Sequence, residues 1–125
     1  MRRLKQTRLR TFLVRPRIVA KDDEGVPMIA FGDPIAVRGE IWPATSKRQI
    51  EQYGDRIDDI ANMRIQGNYA ITLDKRVVAV NVENGPLIHP GDGVHVYAPE
   101  DEDPDYEVRA FTQYYPLRLE VERRG

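Results

Sequence analysis

The sequence predicts a mainly β protein folded as one small antiparallel domain. The 125 residues are enough for one hydrophobic core but leave little room for a second. Apolar and polar residues alternate along most of the chain, which is the period of half-buried strands. Short turns rich in Gly, Pro and Asp separate these segments, without the crossover helices that parallel strands require. Such a chain closes into a small barrel or packs as a two-sheet sandwich.

The first strands follow from residues 9–42. Residues 9–19 mix β-branched, aromatic and basic side chains and predict a strand. Pro16 cannot donate a ladder hydrogen bond, so this strand bends or lies at an edge there. Residues 22–25 and 32–34 have the composition of turns. Residues 35–42 predict the next strand.

Residues 44–62 change to a helical period. An apolar stripe recurs at spacings of three, four and three, formed by Ile50, Tyr53, Ile57 and Ile60. Ser46 and Gln49 have the spacing of a capping box, in which the serine oxygen accepts the Gln49 amide and the Gln49 side chain returns to the Ser46 N–H. Gly54 ends or weakens the helix. We therefore predict a short helix over residues 47–53, inside a long insertion between strands.

Alternation returns after residue 62. One parity is apolar from Met63 to Leu73, with residues 67–68 read as a bulge or bend of the strand. Further strands are predicted at residues 77–82, 94–97 and 106–110, separated by turns at 83–86 and 89–93. The last strand covers residues 117–121. Its alternation places Leu117, Leu119 and Val121 inward and Arg118, Glu120 and Glu122 outward.

Charge is unevenly distributed although the net charge is only −1. Residues 1–21 contain basic side chains and no acid, and residues 1–8 form a basic N-terminal arm. Residues 100–107 contain the acids Glu100, Asp101, Glu102, Asp103, Asp105 and Glu107 and no base. The two segments can pair within a chain or between neighbouring copies. The alternative is that both are solvated surface segments.

No enzyme or cofactor signature is present. Without cysteine, disulfides, thiolate metal sites and cysteine catalysis are excluded. His89 and His95 flank Asp92, but one lies in a predicted turn and the other in a strand, so we expect a turn histidine and a surface histidine instead of a metal site. The one serine, Ser46, is used by the helix cap. Apolar runs are too short for a membrane span.

A nucleic-acid-binding barrel is the alternative function. Basic residues near the N-terminus would contact phosphates, and bases would stack on tyrosines, namely Tyr69, Tyr97, Tyr114 or Tyr115. A pI near 6.1 argues against this, because such proteins usually carry a positive surplus.

The order of features over residues 37–123 resembles the head closure and head–tail adaptor proteins of tailed bacteriophages. The segments that carry the resemblance are Gly39-Glu40-Ile41-Trp42-Pro43-Ala44, Ser46-Lys47-Arg48-Gln49, Met63-Arg64-Ile65, Gly91-Asp92-Gly93-Val94 and Asp105-Tyr106-Glu107-Val108. This family shows a strand ending in Trp and a small residue, then a Ser-led basic helix or loop. An Arg-containing strand, a short Gly turn and a late Tyr-Glu strand follow.

The resemblance implies a structural virion protein and no catalytic residue, metal or cofactor. Family members are small β-barrels, SH3-like or similar, with a long loop between early strands. They form rings below the portal, close its channel after DNA packaging and join the tail. The implied partners are portal, adaptor and tail proteins, with a homo-oligomeric ring on assembly, a monomer when free, and at most sequence-independent contact with packaged DNA. The implied location is the virion neck, after a stay in the host cytoplasm.

The predicted interface combines the insertion with the acidic loop. Its residues are Lys47, Arg48, Ile50, Tyr53, Ile57 and Ile60, together with Asp101, Asp103 and Asp105. An apolar stripe this short and interrupted by Gly54 does not make a stable isolated helix. The segment would then find its apolar partners on a neighbouring copy or the portal, as a gate does. The alternative is that it covers one end of the barrel in every state.

Overall fold

The computed structural model describes residues 9–74, 77–83, 85–112 and 118–124. Several residues named above lie outside these ranges: the basic arm of residues 1–8, Asn84, Tyr114, Tyr115 and Leu117.

Eleven strands and one short helical segment make up the described chain. In order, the elements are β1 (Arg10–Arg15), β2 (Arg17–Lys21), β3 (Pro27–Phe31), β4 (Ile35–Pro43), α1 (Lys47–Tyr53), the 3-10 helix η1 (Gly54–Asp59), β5 (Ile60–Ile65), β6 (Tyr69–Asp74), β7 (Val77–Val82), β8 (Leu87–Ile88), β9 (Gly93–His95), β10 (Tyr106–Thr112) and β11 (Arg118–Arg123). The predicted helix over residues 47–53 is confirmed.

Six of these strands close an antiparallel barrel in the order β1-β4-β5-β11-β10-β9. The predicted β-barrel with one short helix in an insertion between strands is thereby confirmed, and the sandwich is not formed. Inward-facing side chains fill the interior, among them the fully buried Phe12 and Met63. Gly39 is required where β4 crosses β5, because a Cβ there would collide with the Arg64 carbonyl oxygen.

Two further sheets extend from the barrel. β2 and β3 form a two-stranded hairpin, and β6, β7 and β8 form a three-stranded sheet. Pro16 separates β1 from β2, so the predicted bend is confirmed and the chain changes sheet there. β3 was not predicted as a strand.

Residues 66–67 form a bend at which the chain passes from the barrel to the three-stranded sheet, so the predicted bend is found there and the predicted bulge is not. Gly67 adopts a φ of 110°, and β5 belongs to the barrel while β6 belongs to the three-stranded sheet. Residues on the same alternation are therefore not all buried, since Met63 is fully buried whereas Leu73 is 72% exposed.

Across the described ranges, the chain has no helix with the length and apolarity needed to cross a membrane.

Candidate assembly surfaces

The helix α1 begins as the sequence predicts but its cap differs in one bond. Ser46 is the N-cap, and its Oγ accepts the Gln49 N–H at 3.2 Å. The Gln49 side chain does not return to the Ser46 N–H as predicted. Its Oε1 accepts from the Ser46 hydroxyl, and its Nε2 donates to Asn62 Oδ1 at 2.6 Å. Gln49 and Asn62 are both buried, so each amide supplies the partner that the other needs.

The end of α1 also follows from a local cause. Gly54 is the C-cap with φ 56°, a left-handed conformation that glycine adopts without strain. The chain then continues as η1 instead of a regular helix, and Ile60 opens β5. We call residues 45–59, between β4 and β5, the excursion. Its base is closed, because the Ala44 N–H donates to the Ile60 carbonyl at 3.2 Å beside the Pro43–Ala61 strand pair. The β4–β5 ladder therefore does not depend on the residues within the excursion.

Two carboxylates of β11 lie beneath this excursion. Glu120 and Glu122 alternate with the inward-facing Leu119 and Val121, as predicted, but they are only 2% and 7% exposed. Their outward direction therefore does not expose them to solvent. Arg48 of α1 and Arg56 of η1 donate to these carboxylates on the outside of the barrel, so the outer face of β11 is covered.

Arginine–carboxylate bonds hold the excursion to the barrel. Arg48 Nη2 donates to Glu120 Oε1 at 2.9 Å, and Arg56 Nε donates to Glu122 Oε2 at 2.8 Å. Glu122 also accepts from Arg109 Nε at 2.5 Å. We call this set, with the two buried amides, the polar clamp: Arg48, Gln49, Arg56, Asn62, Glu120 and Glu122. Charge-assisted bonds of this kind are stronger than neutral ones.

The pKa values of Glu122, a member of the polar clamp, and of Tyr53 beside it are shifted. Hydrogen bonding to Arg56 holds the pKa of Glu122 below its usual range, with Arg109 contributing in the same direction. Burial raises the pKa of the Tyr53 hydroxyl, and its hydrogen bond to Glu120 adds to this effect. Glu120 Oε2 is buried and has no hydrogen-bond partner within the described structure. The attachment of α1 and η1 thus rests on charge and hydrogen bonds.

The predicted apolar stripe is not a single face. Ile50 is 50% exposed and Ile60 is 2% exposed, while Tyr53 and Ile57 are half-buried. The buried residue of α1 is Gln49. The stripe assumes a continuous α-helix, whereas the 3-10 geometry of η1 turns later residues onto other faces. Of the remaining predicted interface residues in this segment, Lys47 and Arg48 are exposed.

The three aspartates predicted in the acidic loop differ in their contacts. Asp101 and Asp103 are exposed, but Asp105 accepts the backbone N–H groups of Val96 and Tyr97 at 2.8 and 3.0 Å. Arg15 reaches this loop through the Glu100 carbonyl at 2.9 Å. Among the described residues, no ion pair joins a cation of residues 9–21 to a carboxylate of the loop. Asp101 and Asp103 are therefore the members of the predicted set that a partner can reach.

The two histidines do not converge. His95 is 4% exposed, so the expectation of a surface histidine is wrong. Arg15 Nε donates to its Nε2 at 3.0 Å, and its Nδ1 lies 3.3 Å from the Ala98 carbonyl. His89 lies in the predicted turn, 2.6 Å from Asp74. Asp92 accepts the His89 and Arg17 backbone N–H groups, so its carboxylate organises the turn.

Exposed apolar side chains are concentrated on the β2–β3 hairpin, a surface that the sequence reasoning missed. Its members and their exposures are Ile18 45%, Val19 65%, Val26 52%, Met28 52% and Ile29 54%. A second group, Ile71 at 44% and Leu73 at 72%, lies on β6. The uncharged run of residues 26–31 directly after the 22–25 turn was the available signal for a hairpin. Large apolar groups in this position are typical of interaction surfaces.

The tyrosines proposed for base stacking are separated in the described chain. Tyr69 packs against the core, whereas Tyr97 is 75% exposed and lies 5.2 Å from the Arg10 guanidinium. Tyr114 and Tyr115 lie outside the described residues.

No family model matches this chain, and the searches of curated proteins and of solved structures found no similar protein.

Proposed function

We propose that the protein is a structural subunit of the neck of a tailed bacteriophage, a ring component that closes the portal channel and joins the tail. The observation that carries the proposal is the apolar β2–β3 hairpin, which extends from a closed barrel with large side chains exposed on it. A barrel already has a complete core, so apolar groups outside it are best explained by contacts with other subunits.

The order of elements supports the same proposal. Trp42 lies near the end of β4, Ser46 caps the basic helix α1, and Arg64 lies in β5. The Gly turn leads into β9, and Tyr106 opens β10. This is the sequence of features expected of a head closure or adaptor protein.

The partners follow from this role. The subunit is monomeric when free in dilute solution and forms a homo-oligomeric ring on the portal or adaptor, with the tail proteins on the other side. It meets packaged DNA without reading its sequence, and it performs no catalysis. It is found in the host cytoplasm before assembly and in the virion neck afterwards.

Within the ring, the α1–η1 part of residues 44–62 acts as the movable gate. The excursion is closed at its base by the Ala44–Ile60 hydrogen bond, so it can leave the barrel without opening the β4–β5 ladder. Its attachment includes the bonds of Arg48 and Arg56 to Glu120 and Glu122, which charged groups of a neighbouring subunit can compete for. Hydrogen exchange of α1 and η1 amides should therefore change on assembly, while those of β4 and β5 should not.

The deciding experiment is reconstitution with the portal and adaptor proteins encoded beside this chain in its own genome. We expect binding to portal–adaptor rings, seen as added density at the channel exit by electron microscopy. A parallel titration with a short DNA duplex and a single strand at two salt concentrations tests the nucleic-acid alternative. Submicromolar DNA binding at physiological salt, with no binding to the rings, would overturn the proposal.

Charge reversal supplies a matched variant for this reconstitution. Asp101→Lys with Asp103→Lys should weaken ring assembly at low salt, where exposed charges act most strongly. Asp105 is kept, because it holds two backbone N–H groups of its own chain. Glu83→Lys, a reversal at an exposed position outside both the acidic loop and residues 44–62, is the control.

A further inference from the structure

The outer edge of β3 has free backbone groups. Hydrogen bonds join Gly32 N–H to the Pro16 carbonyl at 2.8 Å and Asp22 N–H to the Val26 carbonyl at 3.0 Å. Since hydrogen-bonded and non-hydrogen-bonded pairs alternate in an antiparallel ladder, Ile18–Ala30 and Ala20–Met28 are also bonded pairs. The N–H and C=O groups of Ile29 and Phe31 then point away from β2. No strand pairs with this edge in the described chain.

The opposite edge of the hairpin is protected and the β3 edge is not. On β2, the Arg17 N–H is accepted by Asp92 Oδ1 at 3.0 Å, and Arg17 and Lys21 place charge along the strand. Natural proteins protect edge strands with charged residues, prolines and bulges. β3 has no charged residue, and its one proline stands at its first position. An uncharged edge of this kind is a template for another strand.

We propose that the β3 edge pairs antiparallel with β3 of a second copy, about a two-fold axis at Ile29. Ile29 then faces Ile29 of the second copy and exchanges two N–H···O=C bonds with it. Each Phe31 N–H donates to the Pro27 carbonyl of the other copy. Pro27 has no N–H, so the ladder ends there and its length is defined.

Self-pairing fits the side chains as well as the backbone. Val19 and Ile29 are direct cross-strand neighbours and share one face, while Ala20 and Met28 share the other. Both faces would continue across the resulting four-stranded sheet without a like-charge contact along the β3–β3 seam. A two-stranded ribbon is marginal by itself, whereas four strands give each apolar side chain a neighbour.

The ends of the hairpin have complementary charge. The tip carries Asp22, Asp23 and Glu24. At the base, Arg15 Nη1 donates to the Gly32 carbonyl at 3.1 Å and the Arg124 guanidinium lies 4.7 Å from the Phe31 ring, with Asp33 as the one acid on the chain between β3 and β4. Antiparallel pairing brings the acidic tip of each hairpin towards Arg15 and Arg124 of the other copy. This charge arrangement favours a second copy over an unrelated strand.

The contact is small, so the dimer should dissociate on dilution. Stable interfaces bury about 1,600 Å² in total, and a pair of five-residue strands is well below that size. Dimerisation through β3 does not depend on the phage neck assignment, since it uses only the hairpin and a second copy of this chain.

A single-cysteine variant tests the two-fold axis directly, because the native chain has no cysteine. Hydrogen-bonded antiparallel residues have Cα atoms about 5.5 Å apart, within the range that a disulfide spans. Ile29→Cys should therefore give a covalent dimer on mild oxidation of the concentrated full-length protein. Leu73→Cys, at an exposed site on β6 of the three-stranded sheet, should remain largely monomeric. No dimer from Ile29→Cys, or equal dimer from both variants, would overturn the proposal.

A non-covalent measurement guards against an effect of the cysteine itself. In sedimentation equilibrium of the folded proteins, the native chain should show a concentration-dependent dimer that Ile29→Lys loses and Leu73→Lys retains. Circular dichroism confirms that both lysine variants are folded. A native chain that stays monomeric at high concentration, or an Ile29→Lys chain that dimerises like the native one, would contradict pairing through β3.

Discussion

The α1–η1 excursion and the β2–β3 hairpin both leave the barrel, but they differ in how their side chains are satisfied. The excursion carries the apolar stripe that draws attention in the sequence, yet Gln49 is its buried helical residue and two arginines attach it to Glu120 and Glu122. The hairpin draws less attention, yet large apolar side chains are exposed on it. A surface available to a partner is therefore identified by the contacts that each side chain makes in the fold, and not by the apolar pattern alone.

The two regions should also respond differently to perturbation. Exposed ion pairs contribute little each, but leaving a buried polar partner unpaired is costly. The polar clamp is thus sensitive to substitution, pH and salt. The hairpin lacks such contacts along most of its length, so changes there should leave the free protein stable and act on association. Four predictions follow this contrast, beginning with the largest expected change.

The buried amide pair should have the largest effect on stability. Gln49→Ala leaves Asn62 without its partner at 2.6 Å, and we expect the free energy of unfolding to fall by about 1–3 kcal/mol. Urea unfolding measures this. Glu51→Ala, at an exposed position of the same helix, should change it by less than about 0.5 kcal/mol. Equal effects of the two variants would show that the buried pair does not hold the excursion.

Acid should loosen the clamp before it affects the hairpin. The lowered pKa of Glu122 means that the folded state binds this proton less tightly than the unfolded chain, whose glutamates titrate near about 4.3. Its stabilisation is present above that pH and is lost as the pH falls through the folded pKa. Hydrogen exchange between pH 7 and the acid range, corrected for the intrinsic rate, should show protection falling first in α1 and η1. Simultaneous loss in β2 and β3 would contradict a local clamp.

Removing one arginine of the clamp should have a smaller effect. Arg56→Gln should lower the free energy of unfolding by less than Gln49→Ala does, because Arg56 is exposed to solvent and Arg109 still pairs with Glu122. The loss should shrink at high salt, where the native pair is screened. Lys47→Gln, exposed at the start of α1, serves as the control. A loss independent of salt would mean that the arginine stem, and not its charge, stabilises the segment.

The hairpin should show the smallest change in stability. Val19→Ser and Met28→Ser remove exposed apolar groups, so unfolding of the free protein should change by no more than about 0.5 kcal/mol. Binding to portal–adaptor rings should nevertheless weaken. Circular dichroism melts and a ring-binding assay separate the two effects. A large loss of stability would show that these side chains already have partners within the chain.

The local elements of this protein could be predicted because their causes lie within a few residues. Pro16 ends β1 by lacking an N–H, and Ser46 and Gly54 bound α1 through cap geometry. The period-two alternation identifies barrel strands because each buries one face. The missed strand β3 has no such alternation, since both of its faces are partly exposed and apolar. The sequence of β3 therefore contains no alternation that would predict a half-buried strand.

The candidate site was predictable only in its location along the chain. The helix over residues 47–53 and its place in an insertion between strands were predicted, but residues 60–62 of the predicted insertion belong to β5, and the stripe did not identify Gln49 as the buried residue. Asp105 was grouped with Asp101 and Asp103 by charge. Composition does not distinguish a carboxylate that binds backbone N–H groups from one in solvent.

Most barrel strands, the interruption at Pro16 and the short capped helix follow from local causes, namely side-chain alternation, backbone dihedrals and, in the helix, hydrogen bonds between near neighbours. Which strands close the barrel, and which outward residues are covered, depends on the tertiary fold. Glu120 is outward by alternation, and it is buried because Arg48, 72 residues earlier, is brought over it. His95 is buried through Arg15, 80 residues away. Contacts over such separations depend on how the whole chain closes, and no local period encodes them.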